Sequence, residues 1–205
     1  VTYRKPIDSN TFIKANTFYS NYNFELFSNF TFFLEDPING DQIKQKESRD
    51  IYGINAELNK KVVNDNTNLL FQLGFGVRDD STNDSELSHT KNRTEVLEQI
   101  KLGDIDESNV FTYLNTEIRL GKWLINPALR LDYFKFGYQD KLKETYENET
   151  ETQVKLSPKL NFIYAQNNDL QFYLKTGTGF HSNDARVVVA QSGEEILPTA
   201  IGTDL

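Results

Sequence analysis

The feature that most constrains the fold is a two-residue alternation of apolar and polar side chains in the second half of the chain. In residues 123–136, WLINPALRLDYFKF, one alternate set is apolar and the other contains Arg130 and Asp132. Successive side chains of a β-strand point to opposite faces, so the pattern predicts a strand with one apolar face. The apolar set begins at Trp123 and reaches Tyr133, a spacing typical of two interfacial aromatic rings. Turning Arg130 toward lipid would cost about 2–4 kcal/mol near the midplane, so the apolar face is predicted to meet lipid.

Eight segments have strand-like patterns, namely residues 11–20, 24–34, 48–60, 68–78, 108–120, 123–137, 153–165 and 169–180. Short turn-like connections at 21–23, 61–67, 121–122 and 166–168 alternate with long ones at 35–47, 79–107, 138–152 and from 181 onward. Transmembrane barrels combine short periplasmic turns with long extracellular loops. We therefore predict an all-β fold, an antiparallel transmembrane β-barrel segment of about eight strands.

Three local features carry their own expectations. The composition of residues 94–103 favours a short helix inside the connection 79–107. Pro127 and Pro158 lie within strand patterns and lack an N–H donor, so we expect a bulge or strand boundary near each. Gly177 and Gly179 are expected to relieve crowding on the polar face.

Two other folds share the alternation. A soluble, eight-stranded, lipocalin-like barrel would turn the apolar face inward around an apolar ligand, but it would have to accommodate Arg130, Asp132 and Lys175 elsewhere. A complete eight-stranded membrane barrel would require the first and eighth strands to pair, and the segment 11–20 alternates poorly. The alternation of short and long connections favours the transmembrane segment over both.

Composition excludes several classes of function. A net charge of −8 and a pI near 4.9 argue against nucleic acid as a partner. The chain has no cysteine, and therefore no disulfide and no thiolate metal site. Motifs of hydrolases, metalloproteases and nucleotide-binding loops are absent from the sequence. We predict that the protein is not an enzyme and has no catalytic residues, metal site or cofactor.

A resemblance to a known family rests on three stretches of the second half. SPKLNFIYAQNNDLQFYLKTGTGFHSNDAR, residues 157–186, resembles a late-barrel hairpin of TonB-dependent outer-membrane receptors. ALRLD, residues 128–132, is similar to the strand that precedes this hairpin in such receptors. VVVAQSGEEILPTAIGTDL, residues 187–205, resembles the following loop and the entry to the next strand.

The resemblance implies a receptor in the outer membrane of a Gram-negative bacterium. Such a receptor has a plugged barrel of about 22 strands and imports a scarce nutrient, such as a siderophore, haem, vitamin, metal complex or oligosaccharide. The implied partners are the imported ligand, lipid, lipopolysaccharide and the inner-membrane TonB energy-coupling complex, which acts through the plug. Residues 1–205 are expected to be a partial barrel domain, with the plug domain and the remaining strands not present in this chain.

Polar residues on the lumen set and at the outer end of the strands are expected to line the ligand pathway. They are Arg78, Asp79, Asp80, Arg130, Asp132, His181, Asn183, Asp184 and Arg186. Asp79, Asp80, Asp84 and Glu86 would also suit a cation, including the cations that bridge lipopolysaccharide. The composition of this region favours a solvated, self-repelling loop over a cation site.

Overall fold

Alternating apolar and polar residues produce one antiparallel sheet, in which every strand pairs with the next in sequence. A computed structural model describes residues 1–144, 148–181 and 197–205. The nine strands are β1 Thr2–Pro6, β2 Thr11–Ser28, β3 Ile43–Asn64, β4 Thr67–Lys91, β5 Glu95–Leu120, β6 Trp123–Asp140, β7 Asn148–Ala165, β8 Gln171–Phe180 and β9 Thr199–Asp204. The predicted all-β, antiparallel architecture is confirmed, with nine strands among the described residues where about eight were expected. Within the described ranges, the structure contains no helix that is long and apolar enough to span a membrane.

The first third of the chain differs from the prediction. Residues 11–20 and 24–34 were expected to be two strands joined by a turn at 21–23, but β2 runs without a break from Thr11 to Ser28. Asn21 suggested a turn, yet its side-chain amide donates a hydrogen bond of 2.8 Å to Asp50 on β3. The connection between β2 and β3 therefore lies at residues 29–42. The short strand β1 has little apolar pattern and was not predicted.

The connection 79–107 is also a strand pair and not a loop. Strands β4 and β5 continue to a tight turn at residues 92–94, in which Asn92 and Arg93 have φ angles of 55° and 62°. The predicted helix over 94–103 is wrong, because pairing with β4 overrides a weak local helix preference. With 25 and 26 residues, these strands are more than twice as long as the roughly 9–11 residues that a strand needs to cross a membrane.

One face of the sheet carries rows of paired apolar side chains that run from β3 to β7. The middle row is Leu58, Leu73, Leu114, Leu129 and Pro158, and the row nearest the long connections is Ile54, Val77, Val110, Tyr133 and Val154. Leucines of the middle row are about half exposed, so protein does not cover this face. We name these rows, from Trp123 to Tyr133 on β6, the apolar belt.

Aromatic pairs border the apolar belt at both ends. Near the short turns, the rings of Trp123 and Tyr164 lie 4.7 Å apart between centroids. Near the long connections, the rings of Tyr19 and Tyr52 stack at 5.2 Å. This arrangement matches the two aromatic girdles of outer-membrane barrels.

The two strand prolines interrupt pairing without breaking a strand. Pairing of β5 with β6 is interrupted between Asn115–Ala128 and Ile118–Ile125, on either side of Pro127. The amide of Asn126 donates 2.8 Å to the carbonyl of Thr116, the acceptor that faces the missing N–H of Pro127. At the second proline, the pairing of β7 with β8 stops at residue 159. Neither proline causes the predicted bulge, and the predicted boundary is one of pairing only.

Candidate functional site

The opposite face of the sheet, which we call the lumen face, carries the polar set. Its most buried charged side chain is that of Asp132 on β6, which forms an ion pair with Arg130. The guanidinium donates two hydrogen bonds of 2.7 Å, from Nε and Nη2, to the two carboxylate oxygens. Asp132 is fully buried and also accepts 3.2 Å from the amide of Asn109, whereas Arg130 keeps 39% of its side chain exposed. The sequence predicted both residues, and the structure brings them together.

An aromatic side chain of β5 packs against Arg130 of this ion pair. The guanidinium of Arg130 lies 3.9 Å from the centre of the Phe111 ring, a cation–π distance. Phe111 and Tyr113 occupy the space above Gly76 and Gly74 on β4, where an added Cβ would lie 2.2 and 2.1 Å from the respective ring. These close approaches explain the two glycines.

The glycines predicted to relieve crowding are different ones, and that prediction is wrong. An added Cβ at Gly177 would make an ordinary contact with Lys159 at 3.5 Å, and at Gly179 it would meet none of the described residues within 4 Å. Crowding depends on which neighbouring strand carries the large rings, and these rings are on β5.

A row of side-chain hydrogen bonds crosses five strands of the lumen face. The amide of Asn161 on β7 donates to Asn126, which donates to Asn115, at 3.0 and 2.8 Å. The same direction continues through Gln72 and Asn59 to the carboxylate of Glu57, at 2.6, 3.0 and 2.7 Å. Tyr113 also donates to Glu57. Successive donors that point the same way polarise one another, so this row fixes the wall of the lumen.

A second charged cluster lies between the apolar belt and the long connections. Arg78 binds Asp80 through two hydrogen bonds of 2.7 Å, and Arg49 approaches the same carboxylate at 3.9 Å. Arg49 also contacts Glu47 at 3.4 Å. Glu107 is paired directly across from Asp80. The cluster contains both signs of charge in contact, so it is largely neutralised internally.

Two further predicted pathway residues, Asp79 and His181, lie apart from these clusters. Asp79 points to the opposite face, where its carboxylate accepts 2.5 Å from Ser108. His181 is exposed at the end of β8. Asn183, Asp184 and Arg186 lie outside the described residues. The roles of all these residues in a ligand pathway remain predictions.

The four acidic residues predicted to suit a cation, Asp79, Asp80, Asp84 and Glu86, do not gather around a common point. Asp84 accepts 2.7 Å from Lys141, which also binds Asp104 at 2.6 Å. Hydrogen bonding to Lys141, reinforced by its charge, lowers the pKa of Asp84. Glu86 binds Lys44 at 2.9 Å. In the described part of the chain, no group of three or more histidine, cysteine or carboxylate side chains could hold a metal ion.

The connection between β2 and β3, residues 29–42, is ordered by two carboxylates. Asp41 accepts hydrogen bonds from the backbone N–H groups of Leu34, Glu35 and Asp36, at distances from 2.7 to 3.1 Å. These bonds, with that of Asp36 as the largest contribution, lower the pKa of Asp41 to about 2. Asp36 in turn accepts from the N–H groups of Ile38 and Asn39 at 2.9 Å.

The sequence analysis did not identify the row of side-chain hydrogen bonds from Asn161 to Glu57, or the contact of Arg49 with Asp80. The register of β4 with β5 could have indicated part of this row. Gln72 is as far from the start of β4 as Asn115 is from the end of β5, and these two strand ends pair with each other. Nothing in the sequence indicated that Arg49 would lie within reach of Asp80.

The comparisons with known proteins agree with this architecture. Among solved structures, the chain is similar to the ferric citrate transporter FecA in its unliganded form, with a TM-score of 0.72 and 16% sequence identity. This match covers 87% of the present chain and 26% of the transporter chain, so the present chain spans about a quarter of that protein's length. At this identity the likeness shows the fold alone. No curated protein matches the chain.

A family model described as TonB dependent receptor-like, beta-barrel matches residues 2–197, which is nearly the whole chain. The resemblance that residues 157–186 first indicated is thereby confirmed. The alternation, the apolar belt, the lumen face and this match lead to one conclusion: the chain belongs to the family of TonB-dependent receptor-like β-barrels.

Proposed function

We propose that this chain forms part of the barrel wall of an outer-membrane receptor, which imports a scarce nutrient into a Gram-negative bacterium by energy-coupled transport. The observation that carries the proposal is the contrast between the two faces of one sheet. The apolar belt presents half-exposed leucines between two aromatic borders. The lumen face carries a row of side-chain amide hydrogen bonds and the ion pair of Arg130 with Asp132, which suit a water-containing or plugged interior.

The soluble, lipocalin-like alternative fits these observations poorly. A lipocalin-like barrel keeps its apolar residues in the interior and its charges in water. Here Leu73, Leu114 and Leu129 are about half exposed, while Asp132 on the other face is fully buried. The nine strands also follow one another across a single sheet, and β1 and β8 do not pair within the described residues.

The proposed partners follow from family membership. They are the imported small ligand, the lipid and lipopolysaccharide around the belt, and the inner-membrane TonB complex, which would act through a plug domain of the complete receptor. The proposed ligand is a siderophore, haem, vitamin, metal complex or oligosaccharide. Membership in a family named for receptors is consistent with a protein that is not an enzyme.

The experiment that tests the proposal uses the complete receptor in its source bacterium. A strain without the receptor gene is grown with each of the five nutrient classes as the limiting source, and the wild type is grown alongside. We expect the deletion strain to lose growth on at least one nutrient that is too large for porins. A strain without TonB should lose growth on the same nutrient, because import is energy-coupled.

Membrane fractionation provides a second readout. The receptor is expected in the outer-membrane fraction, with the heat-modifiable electrophoretic mobility of a folded barrel. A receptor found in the soluble fraction, or a nutrient whose uptake requires the receptor but not TonB, would contradict the proposal.

A further inference from the structure

Lys60 on β3 is a charged residue on the face of the sheet that carries the apolar belt, which we call the belt face. It lies two residues from Leu58 on one side and from Val62 on the other, so all three side chains share this face. Its partners in the neighbouring strands are Thr11 on β2 and Phe71 on β4. Lys60 is exposed, and strands of this chain flank it on both sides.

The depth of Lys60 follows from the short turn beside it. Strand β2 begins at Thr11, the pairing partner of Lys60, and the turn before it contains the polar residues 8–10. A polar turn lies outside the hydrocarbon, so on β2 and β3 the border of the belt is at the level of Lys60. Strands of such barrels are tilted by about 45°, so this border does not follow the pairing row of Trp123. The cost of a lysine on the lipid face is small at the border.

A second lysine lies on the same face, two strands away. Lys5 on β1 pairs with Ile13 on β2, which pairs with Leu58, two residues from Lys60. The spacing of strands and of residues along a strand places the two lysine Cα atoms about 12 Å apart. Both lysines are exposed. Two long side chains at this separation can bring their ammonium groups to one anionic group between them.

No carboxylate shares this part of the belt face. Between the middle row and the short turns, the pairing places only uncharged residues beside the two lysines on β2, β3 and β4. The charge of Lys60 acts weakly on Asp8 in the turn, but that carboxylate accepts hydrogen bonds from Asn10, at 2.7 Å, and from Thr11. In the ranges that the structure describes, neither Lys5 nor Lys60 forms an ion pair.

The surface around the lysines is apolar and uncovered. Ile13, Leu58 and Phe71 are each about a third exposed. Two ammonium groups beside such a surface fit a molecule that has an anionic head and an apolar chain. Lysines near a membrane border extend toward the headgroups while their methylene stems stay on apolar surface. Because the short turns of such barrels are periplasmic, the lipid at this border belongs to the periplasmic leaflet.

From the two lysines, the lack of a carboxylate partner and the apolar surface, we infer that the belt face of β1–β4 binds an anionic phospholipid of the periplasmic leaflet. The lipid phosphate lies between Lys5 and Lys60, and an acyl chain packs along Ile13, Leu58 and Phe71. The inference goes beyond nutrient import and rests on the proposed function only in taking the belt face to meet the bilayer.

The test uses the complete receptor, purified in detergent, with phosphatidylglycerol and phosphatidylcholine as probes. Native mass spectrometry measures the fraction of receptor with bound lipid at increasing lipid concentration. We expect phosphatidylglycerol to bind more tightly, because its phosphate charge is not balanced by a choline. Lys60→Gln should weaken phosphatidylglycerol binding about tenfold, the scale of one lost charge-assisted contact, and should leave phosphatidylcholine binding unchanged.

The matched control is Lys122→Gln in the β5–β6 turn, at the same end of the sheet. Lys122 is also exposed, but its ammonium donates 2.6 Å to the carbonyl of Gln166. Its removal should change phosphatidylglycerol affinity less than threefold, about the size of a long-range charge effect. Heat-modifiable mobility shows that each variant is folded. Glycerol phosphate, the headgroup without acyl chains, should not displace the bound lipid.

Three results would overturn the inference: equal affinity for the two lipids, equal losses in the Lys60 and Lys122 variants, or displacement of the lipid by glycerol phosphate, which would indicate a site for free anions. The growth experiments keep these outcomes separate from the proposed function. A receptor that supports TonB-dependent growth without preferring phosphatidylglycerol is an importer without this lipid site. A receptor that binds phosphatidylglycerol through Lys60 but never supports such growth has the lipid site without the proposed transport.

Discussion

Strands β4 and β5 pass through two environments, and their two halves differ accordingly. In the half near the short turn, Leu69, Phe71, Leu73, Phe75 and Val77 face the belt while Gln72, Gly74 and Gly76 face the lumen. In the half near the long connections, from Arg78 to Lys91, both faces are polar. The backbone pairing continues through both halves almost to the tip. The same fold element therefore has a strong sequence signature in one half and almost none in the other.

The difference shows where alternation comes from. A strand alternates when one face meets lipid or a core and the other meets water. Above the belt, polar side chains occupy both faces of β4, and several of them, including Thr82, Ser88 and Thr90, are buried. Pairing can therefore persist there without alternation of apolar and polar residues. Register is also less tightly specified there, and the shifts at Lys46/Ser48, Thr82/Ser85 and Leu87/Ser88 all lie in this half. The strands are held by the backbone ladder and by polar contacts such as the ion pair of Lys44 with Glu86.

The largest expected effect tests the assignment of the two faces within the belt. Leu129→Arg places a charge on the lipid face in the middle row, and it should destabilise the folded barrel by about 2–4 kcal/mol. The matched variant is Ala128→Arg, one residue away on the lumen face beside Asn115 and Lys159. The measurement is the free energy of unfolding of the complete receptor in lipid vesicles, from urea titration.

Equal destabilisation by the two variants would contradict the assignment of the faces, because it would mean that lipid does not contact one face in preference to the other. A larger cost for Ala128→Arg would reverse the assignment. We expect Ala128→Arg to cost clearly less than Leu129→Arg, since lumen charges such as Arg130 are already accommodated on that side.

The structure could be predicted from the sequence within the belt but not in the half of β4 and β5 beyond it. Trp123 and Tyr133 correctly marked the borders of the belt, and Arg130 and Asp132 were correctly assigned to the lumen face, because lipid imposes a strict alternation there. The extension of β4 and β5 could not be predicted from alternation, since the residues of β4 from Arg78 to Lys91 are polar on both faces. Asp79 is a different case: its neighbours Arg78 and Asp80 share the lumen face, so the period of two already placed Asp79 opposite to them.

The apolar cluster near the outer end of the lumen face was also beyond the sequence. Phe134 and Phe136 stack at 5.7 Å, and Leu197 packs against them from the far side of the connection that follows β8. Alternation placed the two phenylalanines on the polar set without giving them a partner. Only tertiary structure brings residues more than 60 positions apart into contact.

A smaller effect is expected in the half above the belt, where no lipid contact is at stake. Lys141 joins the β6–β7 connection to the β4–β5 hairpin through Asp84 and Asp104, at 2.7 and 2.6 Å. Lys141→Met removes both contacts and should cost about 1 kcal/mol or less, because the pair is partly exposed to solvent. Hydrogen–deuterium exchange of peptides covering 81–106 should speed up, while peptides from the belt stay unchanged.

Salt provides the control for this variant. Exchange of the wild-type hairpin at about 1 M salt should approach that of Lys141→Met at low salt, because screening weakens exposed ion pairs. A variant that fails to reach the outer membrane would contradict the comparison, since it would show that the outer half contributes to barrel folding as strongly as the belt does.

The smallest effect is a pH dependence of the order of residues 29–42, the connection between β2 and β3. The pKa of Asp41 is lowered to about 2 by backbone hydrogen bonds, the largest contribution coming from the N–H of Asp36. A lowered pKa in the folded state means that the stabilisation is complete above the ordinary value of 3.8 and is lost as the pH falls through about 2. Residues 29–42 should therefore stay ordered at pH 3.5 and open near pH 2.

Pepsin is a suitable probe, since it is active across this range and cleaves beside aromatic and leucine residues such as Phe30, Phe33 and Leu34, which are exposed. Cleavage of this connection in the complete receptor, relative to cleavage of a free peptide of the same sequence, should rise several-fold from pH 3.5 to pH 2. Asp41→Asn should already be cleaved rapidly at pH 3.5, whereas Asp65→Asn, in the short turn on the other end of the sheet, should behave as wild type. Equal cleavage of wild type and Asp41→Asn at pH 3.5 would show that the carboxylate does not order the connection. In that case the outer half would depend on its backbone ladder alone.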